Sequence, residues 1–157
     1  MEALIMIKVF GMGDFSLGDD SIGARTIEYL KDEIENLSQT VKVIIGSREE
    51  KNYFEEINKD DFIIIVDSGS FGKKIGGITN ISLVQCDNLI NGNYNLEKES
   101  FINVLRKDYR HIKGVLIAIE VMNIQKQAHL SIEIQKCFDK ICKRVLDIIK
   151  YLVKISS

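Results

Sequence analysis

The sequence contains no proline, so every turn in the chain has to be made by Gly, Asn, Asp or Ser. It also has no basic stripe. Its 21 Lys and Arg are interspersed with 23 Asp and Glu, and the formal net charge is −2. That distribution lacks the electrostatic footprint of a nucleic-acid binder, and no nucleic-acid partner is expected. No apolar run approaches the ~20 residues that a membrane span requires. The opening "MEALIMIKVFGMG" has no basic region before its apolar run and no cleavage site after it, so it reads as a strand and not a signal peptide. No membrane partner and a cytoplasmic location are expected. The three cysteines, Cys86, Cys137 and Cys142, include no CxxC pair. They read as reduced, half-buried thiols. There is no internal repeat, linker or low-complexity segment.

What is present is the alternation of an α/β domain. With 157 residues, 45% of them apolar and 28% charged, the chain reads as a single domain over residues 1–157. A chain of this size buries roughly 70% of its unfolded surface, enough for a core without covalent staples. "LIMIKVF" (4–10), "VKVIIG" (41–46), "DFIIIVD" (61–67) and "IKGVLIAIEV" (112–121) are short apolar runs of buried-strand type. Ile27, Leu30, Ile34 and Leu37 recur at helical spacing within residues 20–37, as do Ile134, Phe138, Ile141, Val145, Ile148 and Leu152 within 131–154. "REEKNYFEEI" (48–57) and "LEKESFINVLRKDY" (96–109) read as further helices. The glycine-punctuated stretch 68–85, ending in the alternating "ITNISLVQ", reads as a hairpin or an edge-strand excursion. This order predicts a three-layer, doubly wound, Rossmann-like fold, with a mostly parallel sheet and helices on both faces.

The most informative stretch is "GMGDFSLGDDSIG" (11–23). It fails as a dinucleotide fingerprint, because GxGxxG needs a glycine where Ser16 stands. It also fails as a phosphate loop. After the GxxxxG of Gly13 and Gly18 that motif needs Lys and Ser or Thr, and here Asp19 and Asp20 take those places. Absence of a Ser/Thr-rich cradle likewise argues against a flavin. Helix capping accounts for Asp19, since an acid at a helix start accepts backbone N–H bonds and meets the positive end of the dipole. Asp67, at the end of the third strand, is either a turn residue or half of a site. In a sheet of order 2-1-3, strands one and three are neighbours and their carboxyl ends flank the ligand crevice. Asp20 and Asp67 would then face one small space, and a divalent cation would relieve their repulsion.

The loop, with Gly11, Gly13, Asp14, Asp19, Asp20 and Gly23, resembles that of the hydrogenase maturation endopeptidases. These enzymes trim the C-terminal tail of the nickel–iron hydrogenase large subunit. "VDSGSFG" and "HLSIEIQK" resemble that family's second strand-end motif and the opening of its final helix, and the order of elements matches over almost the whole chain. The resemblance implies an endopeptidase without a serine or cysteine nucleophile, with Asp20 and Asp67 as catalytic and metal-facing carboxylates. It implies nickel or another divalent metal supplied by the substrate. The implied partner is a hydrogenase large-subunit precursor or a related metalloprotein. The family's histidine falls near "LVQCDN", where this chain has none; Cys86 and Asp87 are the candidate ligands there, with His129 as a third candidate after the last strand. His111 precedes that strand and is expected at the far end of the sheet. The alternative function is an inactive family member that binds a metal or a protein tail without cleaving it.

Overall fold

The computed structural model describes residues 5–46, 52–90, 101–122 and 126–156. Among them, five strands form one sheet: β1 (Ile7–Met12), β2 (Val41–Gly46), β3 (Phe62–Gly69), β4 (Ile78–Ser82) and β5 (Lys113–Glu120). The sheet order is β2-β1-β3-β5-β4, with β4 antiparallel to β5 and every other pairing parallel. The chain reverses its direction of travel across the sheet between β1 and β3, which makes their carboxyl ends the switch point of a doubly wound fold.

The alternation in β3 shows why the sheet must be covered on both sides. Ile64 and Val66 join the cluster under α1 (Ile22–Glu35) and α4 (Ile132–Ser156), with Ile27, Ile34, Ile134, Val145 and Ile149. Ile63 and Ile65 point the opposite way, into a cluster with Leu83 and Cys86 of α2 (Leu83–Ile90) and Leu105 of α3 (Phe101–Asp108). Period-two strands feeding two layers of helices give each buried isoleucine ~1.5–3 kcal/mol of transfer free energy. On the second face, Phe101 packs against Phe10 at 5.0 Å between ring centroids and against Phe54 at 5.2 Å. At the amino end of the sheet the buried Lys8 pairs with Asp61 at 2.7 Å, and its Nζ also donates to the Glu56 carbonyl. All three cysteines are free thiols; Cys86 and Cys142 are buried and Cys137 partly so.

The predicted strands and the two amphipathic helices are present, with three local differences. Residues 52–56 form a 3₁₀ turn where a short helix was expected, and residues 48–51 of that expectation lie outside the described residues. α3 begins at Phe101, and residues 96–100 lie outside as well. The stretch after β3 makes an edge strand paired to β5, with no β3–β4 hairpin, and it ends at Ser82. There Ser82 and Gln85 bond reciprocally: the Gln85 N–H donates to Ser82 Oγ at 3.2 Å and the Ser82 N–H to Gln85 Oε1 at 2.9 Å. This capping box starts α2. No described helix is long and apolar enough to cross a membrane.

Candidate functional site

Two glycines bring the first loop onto the strand ends. A Cβ at Gly13, whose φ is +154°, would lie 2.3 Å from the Asp20 carbonyl oxygen. A Cβ at Gly23 would lie 2.2 Å from the Val66 carbonyl oxygen and 2.7 Å from the Asp67 Cα. The start of α1 is therefore in backbone contact with the end of β3, a closeness that no other residue permits. A 3₁₀ turn over Gly18–Ser21 precedes α1 and carries both Asp19 and Asp20.

Asp20 is completely buried. Its Oδ2 accepts the Asp14 N–H at 3.0 Å, and its Oδ1 accepts the Ser68 hydroxyl at 3.3 Å. Ser68 is the chain neighbour of Asp67, which is half-buried and accepts the Ser68 N–H on Oδ1 at 2.7 Å. Ser68 thus spans the two carboxylates, its hydroxyl on one and its amide on the other. Sequence reasoning missed this residue; its only signal was the run of small residues in "VDSGSFG". The Asp14 carboxylate is engaged in its own turn, where Oδ1 accepts the Ser16 N–H at 2.8 Å and hydroxyl at 2.6 Å. Arg25 ties the loop down: its Nε donates to Ser21 Oγ at 2.7 Å, its Nη2 donates to the Ala128 carbonyl at 2.8 Å, and its guanidinium lies over the Phe15 ring.

The capping expectation for Asp19 needs correction. Neither the 3₁₀ turn nor α1 has a side-chain cap hydrogen bond. Asp19 instead reaches the start of α4, where Oδ1 accepts the Ser131 N–H and Oδ2 the Ser131 hydroxyl, both at 2.7 Å. Ser131 Oγ in turn accepts the Ile134 N–H at 3.3 Å, the pattern of an N-cap. Asp19 therefore places a negative charge at the positive end of a helix distant in sequence.

The other three candidate ligands have different surroundings. Cys86 is 1% exposed in the core beneath α2, and burial pushes its thiol up to about 11, so it is the neutral thiol at neutral pH. Both oxygens of Asp87 are engaged by Arg106, at 2.8 Å to Nε and 2.9 Å to Nη2, and the guanidinium holds the carboxyl below its ordinary value. Arg106 also donates to the Ile112 carbonyl at 3.1 Å, so the pair fastens α2 to α3 and to the start of β5. His129 is exposed on the rim of a cleft of about 390 Å³ whose walls include Asp19, Met122 and Ser131 but neither Asp20 nor Asp67. His111 is exposed just before β5.

Among the described residues, no three His, Cys, Asp or Glu side chains are grouped to hold a metal ion, and every histidine and cysteine of the chain is described. Cys86, Asp87 and His129 therefore do not gather around Asp20 and Asp67. Without imidazole or thiolate the strand-end groups offer oxygen donors only, which does not fit a resident nickel ion. What they offer is carboxylate and hydroxyl oxygens that can hydrogen-bond an incoming polar group.

No family model matches the sequence, and no curated protein matches it. Solved structures do match. The hydrogenase maturating endopeptidase HybD from E. coli superposes with a TM-score of 0.75 at 16% identity, covering 94% of this chain and 93% of that one. An endopeptidase from Escherichia coli determined in solution gives 0.70 at 19% identity, covering 94% and 93%. The [NiFe] hydrogenase maturation protease HycI from Thermococcus kodakarensis gives 0.68 at 21% identity, covering 92% of each chain. The chain has the fold of these hydrogenase maturation endopeptidases, at 16–21% identity to them.

Proposed function

We propose that this chain is an endopeptidase of the hydrogenase maturation type, and that its substrate is the C-terminal extension of a nickel–iron hydrogenase large-subunit precursor or of a related metalloprotein. The observation that carries the reading is the placement of Asp20 and Asp67 at the switch point, spanned by Ser68, in a fold shared with proteins named as such proteases. A water held between two carboxylates can lose a proton to one of them as it attacks a peptide carbonyl, and that carboxyl group can pass the proton to the departing amine as the C–N bond breaks. Asp20, fully buried, is the group whose environment is most tightly defined, and Asp67, half-buried, is the one open to a substrate.

Nickel or another divalent ion enters this reading as part of the substrate. The oxygen-only donor set supports that assignment, since it supplies too few ligands for a resident metal and leaves positions for ligands that the precursor brings. The same observation favours a second reading, in which the chain binds a metal-bearing tail without cleaving it. Incubation with a metal-loaded precursor, followed by intact-mass measurement, separates the two. Loss of the C-terminal tail with the wild type, abolished in Asp20→Asn, supports the endopeptidase. Stable binding without mass loss supports the binding module, and neither binding nor cleavage removes both.

A further inference from the structure

Glu120 is a buried carboxylate, 6% exposed, at the last position of β5. It stands opposite Gly69 in the parallel pairing of β3 and β5. Its Oε1 accepts the Phe71 N–H at 2.7 Å. Its backbone grips the other end of the same loop: the Glu120 carbonyl accepts the Gly76 N–H at 2.8 Å, and the Glu120 N–H donates to the Gly77 carbonyl at 2.8 Å. The Val121 N–H adds a bond to the Gly69 carbonyl at 3.2 Å. One residue thus clasps both ends of the segment that leaves Asp67 and Ser68. The first end also carries the Phe71 ring, packed within 2.9 Å of where a Gly69 Cβ would be. A buried carboxylate is costly unless hydrogen-bonded, and the bond its side chain makes here is to that loop.

We propose that Glu120 is a positioning residue of the strand-end site. By holding the Phe71 N–H it fixes the end of β3, and with it the Ser68 hydroxyl on Asp20 and the carboxylate of Asp67. The functional part of this inference rests on the reading of Asp20 and Asp67 as the reacting pair; the structural part does not. The geometry requires an acceptor oxygen at Oε1, which glutamine also supplies and alanine does not.

The test is amide NMR on the full chain. The Asp14 and Ser68 amides donate to the carboxylates of Asp20 and Asp67, so their resonances report the site directly. Glu120→Ala is expected to speed exchange of the Phe71 amide about tenfold or more, as the loss of one charge-assisted bond implies. It should also shift the Ser68 and Asp14 resonances, while Glu120→Gln, which keeps the acceptor oxygen, leaves those two at their wild-type positions. If Glu120→Ala does not fold, Glu120→Asp, one methylene too short to reach Phe71, makes the same comparison. Unmoved Ser68 and Asp14 resonances, or a folded Glu120→Gln that behaves as the alanine variant, overturn the proposal. Where the wild type cleaves a precursor, Glu120→Ala should lower kcat with little change in KM, and Glu120→Gln should restore it. A wild type that cleaves nothing defeats the peptidase reading and leaves the NMR comparison to decide the role of Glu120.

Discussion

Replacing Asp19 by alanine removes two hydrogen bonds that join the loop after β1 to the start of α4, both 2.7 Å long and both to Ser131. Bonds to a charged acceptor contribute ~1.5–3 kcal/mol each. The lower end applies here, because one desolvated side chain makes both and Ser131 is partly exposed, so water can reach the freed groups. The lost charge at the helix start adds ~0.3–1 kcal/mol. The expected destabilisation is therefore about 3.5 kcal/mol, or a fall in Tm of about 7–14 °C for a domain of this size. Asp19→Asn keeps one acceptor oxygen and should lose about half as much. Urea unfolding of Asp19→Ala, Ser131→Ala and the double variant should give a coupling energy of about 1.5 kcal/mol. A loss below ~0.5 kcal/mol in Asp19→Ala, or an additive cycle, would refute the assignment of Asp19 to the α4 cap.

Asp61→Ala leaves the Lys8 ammonium buried without its carboxylate and should cost ~3–5 kcal/mol in urea unfolding, whereas the double variant Lys8→Met, Asp61→Leu should cost clearly less. Burial raises the thiols of Cys86 and Cys142 to about 11, so at pH 8 a disulfide reagent should modify Cys137 first and reach the other two only on unfolding; rapid modification of all three in the folded chain would contradict this. Arg106 holds the Asp87 carboxyl below 3.8, so that pair stabilises the fold in full above that value and the contribution disappears as pH falls through the folded pKa. Asp87→Asn should therefore be less stable than wild type at pH 7, with the gap closing below pH 3.8; a gap that persists unchanged in acid would count against the pairing.

The sheet was legible because its strands carry unmixed signals. The run at 61–67 is apolar from Phe62 to Val66 and that at 41–46 is broken by Lys42, and each lies where the structure has a strand. "ITNISLVQ" carries two signals at once, an apolar–polar alternation and an S-x-x-Q capping box. The local hydrogen bonds of Ser82 and Gln85 turn its second half into a helix. The strand-end positions of Asp20 and Asp67 followed from topology alone. The partners of their neighbours did not. Asp19 looks like the cap of its own helix until Ser131, 112 residues away, is brought against it. Asp87 looks like a free ligand until Arg106, 19 residues on, takes both of its oxygens. Local pattern shows what a side chain can accept, but the fold determines which donor arrives.

The proposed function requires Asp20 and Asp67 to act as one unit on a peptide bond. It is tested most directly by measuring precursor cleavage, by mass, for Asp20→Asn, Asp67→Asn and the double variant beside the wild type. Groups that work together are strongly non-additive, so each single change should remove nearly all cleavage and the double variant should be no slower than either. Cleavage at the wild-type rate in either single variant, or losses that multiply in the double variant, would contradict the account.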